Sequence, residues 1–138
     1  MLLDKQNLMS YQQAITVSAV STDQIDLGPN HSNLASGNDR HIPLLVNVDQ
    51  TFLAAGAATL QVQVQSSNSS TFASGVRTHC DRTFTKAELV PNAKLEHGFD
   101  LPPDVLQYVR VNYVVATGPF TAGKITIGVL ASRQTNVN

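Results

Sequence analysis

The residues able to carry chemistry are His31, His41, His79, His97, Cys80 and the glutamates Glu88 and Glu96. Histidine is the commonest side-chain ligand for metal ions, and a metal site needs several such groups converging on one point. No His-x-His pair occurs, His31 and His41 are separated by a loop, and neither glutamate completes a ligand pattern with them. The expectation is four ordinary surface or partly buried histidines, with no metal and no cofactor.

His79-Cys80-Asp81 sets a base, a nucleophile and a carboxylate in succession. A base has to lie within hydrogen-bond reach of its nucleophile, yet consecutive side chains of a strand point to opposite faces. Cys80 shares the phase of Val76 and Thr78, so it reads as a small core residue with His79 across the sheet from it. No catalytic residue is expected. Gly118, Gly123 and Gly128 form no phosphate-cradling pattern and sit around a turn. Asp23 and Asp26 read as turn caps. The Asn30-His31-Ser32 and Asn68-Ser69-Ser70 acceptor patterns read as chance matches in a chain rich in Asn and Ser.

Bulk properties narrow the classes further. A chain of 138 residues suits one domain. Charged residues make up 14% of it, against a typical ~25%, and hydroxyl and amide side chains take their place. Such a surface is cheaper to desolvate against another protein. A net charge of -1 without a basic stripe argues against nucleic acid. A single cysteine excludes an intramolecular disulfide. No apolar run has the length of a membrane span. The opening Met1-Leu2-Leu3-Asp4-Lys5 lacks the basic-then-apolar pattern of a signal peptide, so synthesis in the cytoplasm is expected.

The elements that position these residues repeat with a period of two. Leu60-Gln61-Val62-Gln63-Val64-Gln65 alternates without exception, which puts three aliphatics on a dry face and three glutamines on a wet one. Ile15 to Ala19, Ile42 to Val48, Val109 to Val115 and Ile125 to Val129 read the same way, and Leu45 blurs the second of them. Gln24 to Leu27, Val76 to Cys80 and Lys94 to Phe99 are shorter candidates. Turn clusters separate them, among them Gly28-Pro29-Asn30, Ser66 to Ser70 and Thr117-Gly118-Pro119. The fold class expected is all-β, a jelly-roll-like β-sandwich of about eight short antiparallel strands. Thr85 to Leu89 could make one helical turn, which Pro91 would stop. Residues 1–13 read as an N-terminal arm and residues 14–138 as the single domain.

Two apolar features stand out between strands. Phe52-Leu53-Ala54-Ala55-Gly56-Ala57-Ala58 lies where a polar loop is the default, and Phe120 lies in the late turn. Such loops either cap the end of the sandwich or present themselves to a partner.

These stretches resemble the phage cement proteins, capsid-stabilising jelly rolls of some tailed bacteriophages. The resemblance is carried by Met1-Leu2-Leu3-Asp4, by Ile25-Asp26-Leu27-Gly28-Pro29 and by Asp49-Gln50-Thr51-Phe52-Leu53 running on through Leu60. It is strongest in Tyr108-Val109-Arg110-Val111-Asn112-Tyr113, followed by Ala116-Thr117-Gly118-Pro119-Phe120 through Lys124. It covers nearly the whole chain in order, and Val76 to Glu96 departs most from it.

The resemblance implies a decoration protein without enzymatic activity that associates with itself, typically as a dimer. It also implies a place on the outer capsid surface of the virion, where such proteins bridge subunits of the major capsid protein after the shell expands. On that reading Leu2, Leu3, Leu8, Met9, Phe52, Leu53 and Phe120 are the candidate capsid contacts. The alternative is a receptor- or glycan-binding sandwich of a phage virion. The lack of Trp, with only Tyr11, Tyr108 and Tyr113 as tyrosines, weighs against it. A cupin-like metalloenzyme is disfavoured by the missing ligand spacing.

Overall fold

A computed structural model describes residues 7–29, 42–93, 95, 99–102 and 104–129. Its elements are β1 (Leu8–Ala14), β2 (Ala19–Val20), β3 (Ile25–Asp26), β4 (Ile42–Leu53), β5 (Thr59–Ser67), β6 (Arg77–Thr85), β7 (Asp100–Leu101), β8 (Tyr108–Ala116) and β9 (Ala122–Val129). One sheet has the order β1-β9-β4-β7, and the other has β2-β8-β5-β6 with β3 also on β8.

The pairings identify the topology. β1 pairs with β9, β2 and β3 with β8, β4 with β7, and β5 with β6, all antiparallel. Counting β2 and β3 as two pieces of one strand, the chain is a long hairpin with its tip between β5 and β6. Wrapping that hairpin adds the β4–β9 and β5–β8 ladders. This is a jelly roll of eight strand positions, as the period-two pattern and turns lead one to expect.

Alternation fills the space between the sheets. Leu60, Val62 and Val64 of β5 and Val109, Val111 and Tyr113 of β8 are buried, and they meet Val46, Val48, Ile125 and Ile127 from the other sheet. Gln61, Gln63 and Gln65 stay on the wet face, where Asn112 Nδ2 and Gln65 Nε2 both donate to Gln63 Oε1, at 2.8 and 3.3 Å. The two sheets are also bonded through the core, where Tyr113 and Ser10 share a hydrogen bond of 2.7 Å.

Three segments depart from the sequence reading. Leu8–Gln13, assigned to an arm, belong to β1 at the edge of the first sheet, so the domain begins earlier than residue 14. The rest of that arm, Met1 to Gln6, lies outside the described residues. Ile15 to Ala19 is not one strand: Ile15 to Ser18 form none, because the chain changes sheets there, and Ala19 opens β2. Ile15 N–H still reaches Gly123 O in the first sheet, while Ser18 Oγ accepts Val115 N–H from the second. In Lys94 to Phe99 only Leu95 and Phe99 are described; both are buried, and the strand starts after them at Asp100. Leu45 is buried outside the central cluster, opposite Gly128. Thr85 to Leu89 is a single turn in which Glu88 accepts the Thr85 N–H at 2.8 Å.

Candidate partner-binding surface

Wrapping the hairpin gathers the β1–β2, β4–β5, β6–β7 and β8–β9 connections at one end of the sandwich. Backbone hydrogen bonds stitch them side by side: Phe120 N–H to Thr16 O at 2.9 Å, Thr121 N–H to Leu53 O at 2.7 Å, and Phe52 N–H to Leu89 O at 3.1 Å. Lys86 Nζ adds bonds of 3.1 Å each to the carbonyls of Ala54 and Gly56. The result is a fixed platform of connecting segments.

Its floor is aromatic. Phe52 and Phe120 are both buried, in an edge-to-face contact with centroids 5.0 Å apart. The β8–β9 turn runs through Thr117 and Gly118, both at positive φ (62° and 99°). That is the backbone sense of the tight hairpin turns that favour glycine. Pro119, the third residue of that turn cluster, follows the two.

The candidate contacts therefore separate by role. Leu53 is 54% exposed on the platform, with exposed Val17 and Val90 in the adjoining connections. Phe52 and Phe120 face inward, because the end of the sandwich has to be closed, and they support the surface instead of forming it. Met9 is also fully buried, so its side chain is a core member and not an accessible contact. Leu8 is half-buried and lies across Gly128, where an added Cβ would come within 2.7 Å of Leu8 Cδ2. Leu2 and Leu3 lie outside the described residues. Val17 and Val90 escaped the sequence reading because a strand pattern assigns them to faces and does not say which ends meet.

The titratable side chains cluster at the opposite end. The β5–β6 ladder slips between Val64, which faces Cys80, and Gln65, which faces Thr78. The extra residue in this β-bulge is His79, and its ring lies 2.5 Å from Ser66 Oγ through Nε2. The bulge turns His79 to the inner side with Cys80, where strict alternation would have separated them. Cys80 Sγ donates to Asp100 O at 3.2 Å, and burial pushes the thiol pKa up. Burial pushes the His79 pKa down, opposed by Asp104 and reinforced by Arg77.

Ser66, His79 and Asp104 have the order of a nucleophile, base and carboxylate. Ser66 is fully buried, and His79 Nδ1 stands 3.9 Å from Asp104 Oδ1, beyond hydrogen-bond length, so the three groups do not form a continuous hydrogen-bonded relay. Among the described residues no group of three or more His, Cys, Asp or Glu could hold a metal ion. His31, His41, His97 and Glu96 lie outside those residues.

Comparison with curated proteins finds no match. A family model described as Bbp16 matches residues 9–129. That span runs from Met9 in β1 to Val129 at the end of β9 and takes in all of the sandwich but Leu8, the first residue of β1: the chain belongs to the Bbp16 family.

Proposed function

We propose that this protein is a structural cement of a phage head, binding the outer surface of the expanded capsid and bridging major capsid protein subunits, in copies that also associate with one another. The observation that carries the reading is the four-connection platform. It holds exposed Leu53, Val17 and Val90 on a backbone-bonded base, within a chain of low charge. A preformed surface loses little conformational freedom on docking, and its apolar side chains gain from leaving water. The resemblance of the Phe52 and Phe120 segments to cement proteins supplies the capsid as partner.

The physical action is linkage. A ligand that binds the assembled lattice and not separated subunits stabilises the lattice by its binding free energy. A self-associated copy touching two subunits also gains from effective concentration, so modest contacts repeated over a shell add up.

The test is co-sedimentation of the purified protein with expanded, cement-free capsids of its own phage, with unexpanded procapsids as control. Saturable binding to expanded shells at a fixed ratio to the major capsid subunit is expected, with at least tenfold weaker binding for a folded Leu53→Asp variant. A folded protein that binds neither shell would overturn the cement reading. Undiminished binding by Leu53→Asp would move the contact away from the platform.

A further inference from the structure

The end opposite the platform holds a cleft of about 440 Å³ between the β5–β6 hairpin and the β7–β8 connection, lined by Asn68, Ser69, Ser74, Gly75, Arg77 and Leu106. Three hydrogen bonds fasten its two walls. Gln107 N–H reaches Asn68 Oδ1 at 3.4 Å, and Arg77 Nη1 reaches Asp104 O at 3.3 Å, both at the exposed rim. Deeper in, Leu106 N–H donates to Ser66 Oγ at 3.1 Å, and Ser66 Oγ lies 2.5 Å from His79 Nε2. We propose that Ser66 and His79 form an acid-sensitive latch: protonation of the His79 ring releases Leu106 and opens the cleft between the hairpin and the β7–β8 connection.

The argument is one of donor and acceptor supply. Ser66 is fully buried and has one hydroxyl proton. With Leu106 N–H donating to its oxygen, that proton goes to Nε2 of a neutral ring, and the ring's own proton sits on Nδ1. Protonating Nε2 takes away the acceptor. Ser66 can then accept from both Nε2 and Leu106 only by leaving its own proton without a partner in a dry site, which disfavours the closed arrangement.

An outward path is available to the charged ring. Its side chain is 5% exposed, but Asp104, 67% exposed in the β7–β8 connection, lies 3.9 Å from Nδ1. The charges acting on the ring are Asp104, which favours the imidazolium, and Arg77 of β6, which opposes it; from β5 the Ser66 hydroxyl bonds to the ring. Burial outweighs the carboxylate, so the ring takes up its proton at a lower pH than an ordinary histidine. The latch is closed at neutral pH and opens in mild acid.

The experiment is an NMR titration from about pH 8 to about pH 5, following the His79 ring and the Leu106 amide together. Both should move with one midpoint below 6.5, the ordinary value for the ring. Leu106 exchange protection, corrected for intrinsic rate, should fall at least tenfold with that same midpoint. Asp104→Asn, at an exposed site, should lower the shared midpoint further. His79→Gln, whose amide oxygen can still accept from Ser66, should leave Leu106 protected throughout. A Leu106 amide that stays flat while His79 titrates would overturn the latch, as would a midpoint at or above 6.5. If His79→Gln does not fold, the Asp104→Asn midpoint decides the matter alone.

Discussion

Phe120 meets Phe52 edge-on, with ring planes at 81°, and the contact depends on Gly123 in β9. A Cβ at Gly123 would stand 2.5 Å from the Phe52 ring, and its φ of +149° disfavours a side chain in any case. Phe52→Ala or Phe120→Ala should cost about 3–5 kcal/mol, as buried aromatic truncations do. Gly123→Ala should cost about 1–3 kcal/mol through overpacking and backbone strain. Leu53→Ser, on the surface beside them, should stay within about 0.5 kcal/mol. Urea unfolding of the four variants checks this, and equal losses at positions 52 and 53 would refute the division into floor and surface.

The two faces of β5 make the second prediction. Val62 is fully buried opposite Tyr113, so Val62→Asp places an unpaired charge in the core and should abolish soluble folding. Val111→Asp should behave alike. Gln61 lies on the wet face with its amide 2.6 Å from Asp81 Oδ1. Lysine there keeps a donor beside that carboxylate, so Gln61→Lys should retain soluble yield and shift the melting temperature by only a few degrees.

Which parts of this were readable from the sequence follows from what a period can encode. Leu60 to Gln65 and Val109 to Val115 alternate because each strand has one dry face, and those strands stand where the pattern puts them. Ile15 to Ala19 alternates equally well and yet turns a corner, because burial at a crossing between sheets mimics burial on a face. The bulge at His79 is invisible to a two-residue period, since the extra residue shifts the phase: Cys80 opposes Val64 of the dry face while Thr78 opposes Gln65 of the wet one. The platform depends on which ends meet, and that is fixed by the β4–β9 and β5–β8 ladders joining residues far apart in the chain.

Tyr113 supplies a third prediction. Its hydroxyl bonds to Ser10 Oγ, which in turn donates to Gln13 Oε1 at 2.8 Å, so the phenol is the donor in the buried pair. Burial pushes its pKa well above the ordinary value of 10.0. The fold thus favours the neutral phenol, and the stability this gives is present below about pH 10 and lost as pH rises beyond it. Ultraviolet titration should show no phenolate from Tyr113 until the protein unfolds in alkali. Tyr113→Phe should cost about 1 kcal/mol, because Ser10 keeps its bond to Gln13. A phenolate signal from Tyr113 in the folded protein would contradict the buried bridge.

Cys80 supplies the last. Thiol reagents attack the thiolate, and burial raises the Cys80 pKa above its ordinary 9.0. The folded state therefore favours the neutral thiol, a contribution that holds below pH 9 and fades as the solution becomes more alkaline. Half-burial against the core adds a steric barrier to the reagent. Alkylation at about pH 8 should run at least tenfold slower than for a small free thiol, and denaturant should remove the difference. Cys80→Ser keeps a donor for Asp100 O and should cost less stability than Cys80→Ala, which leaves a gap against the core. Labelling of the folded protein at the free-thiol rate would place Cys80 outside the core and argue that β6 pairs in a different register.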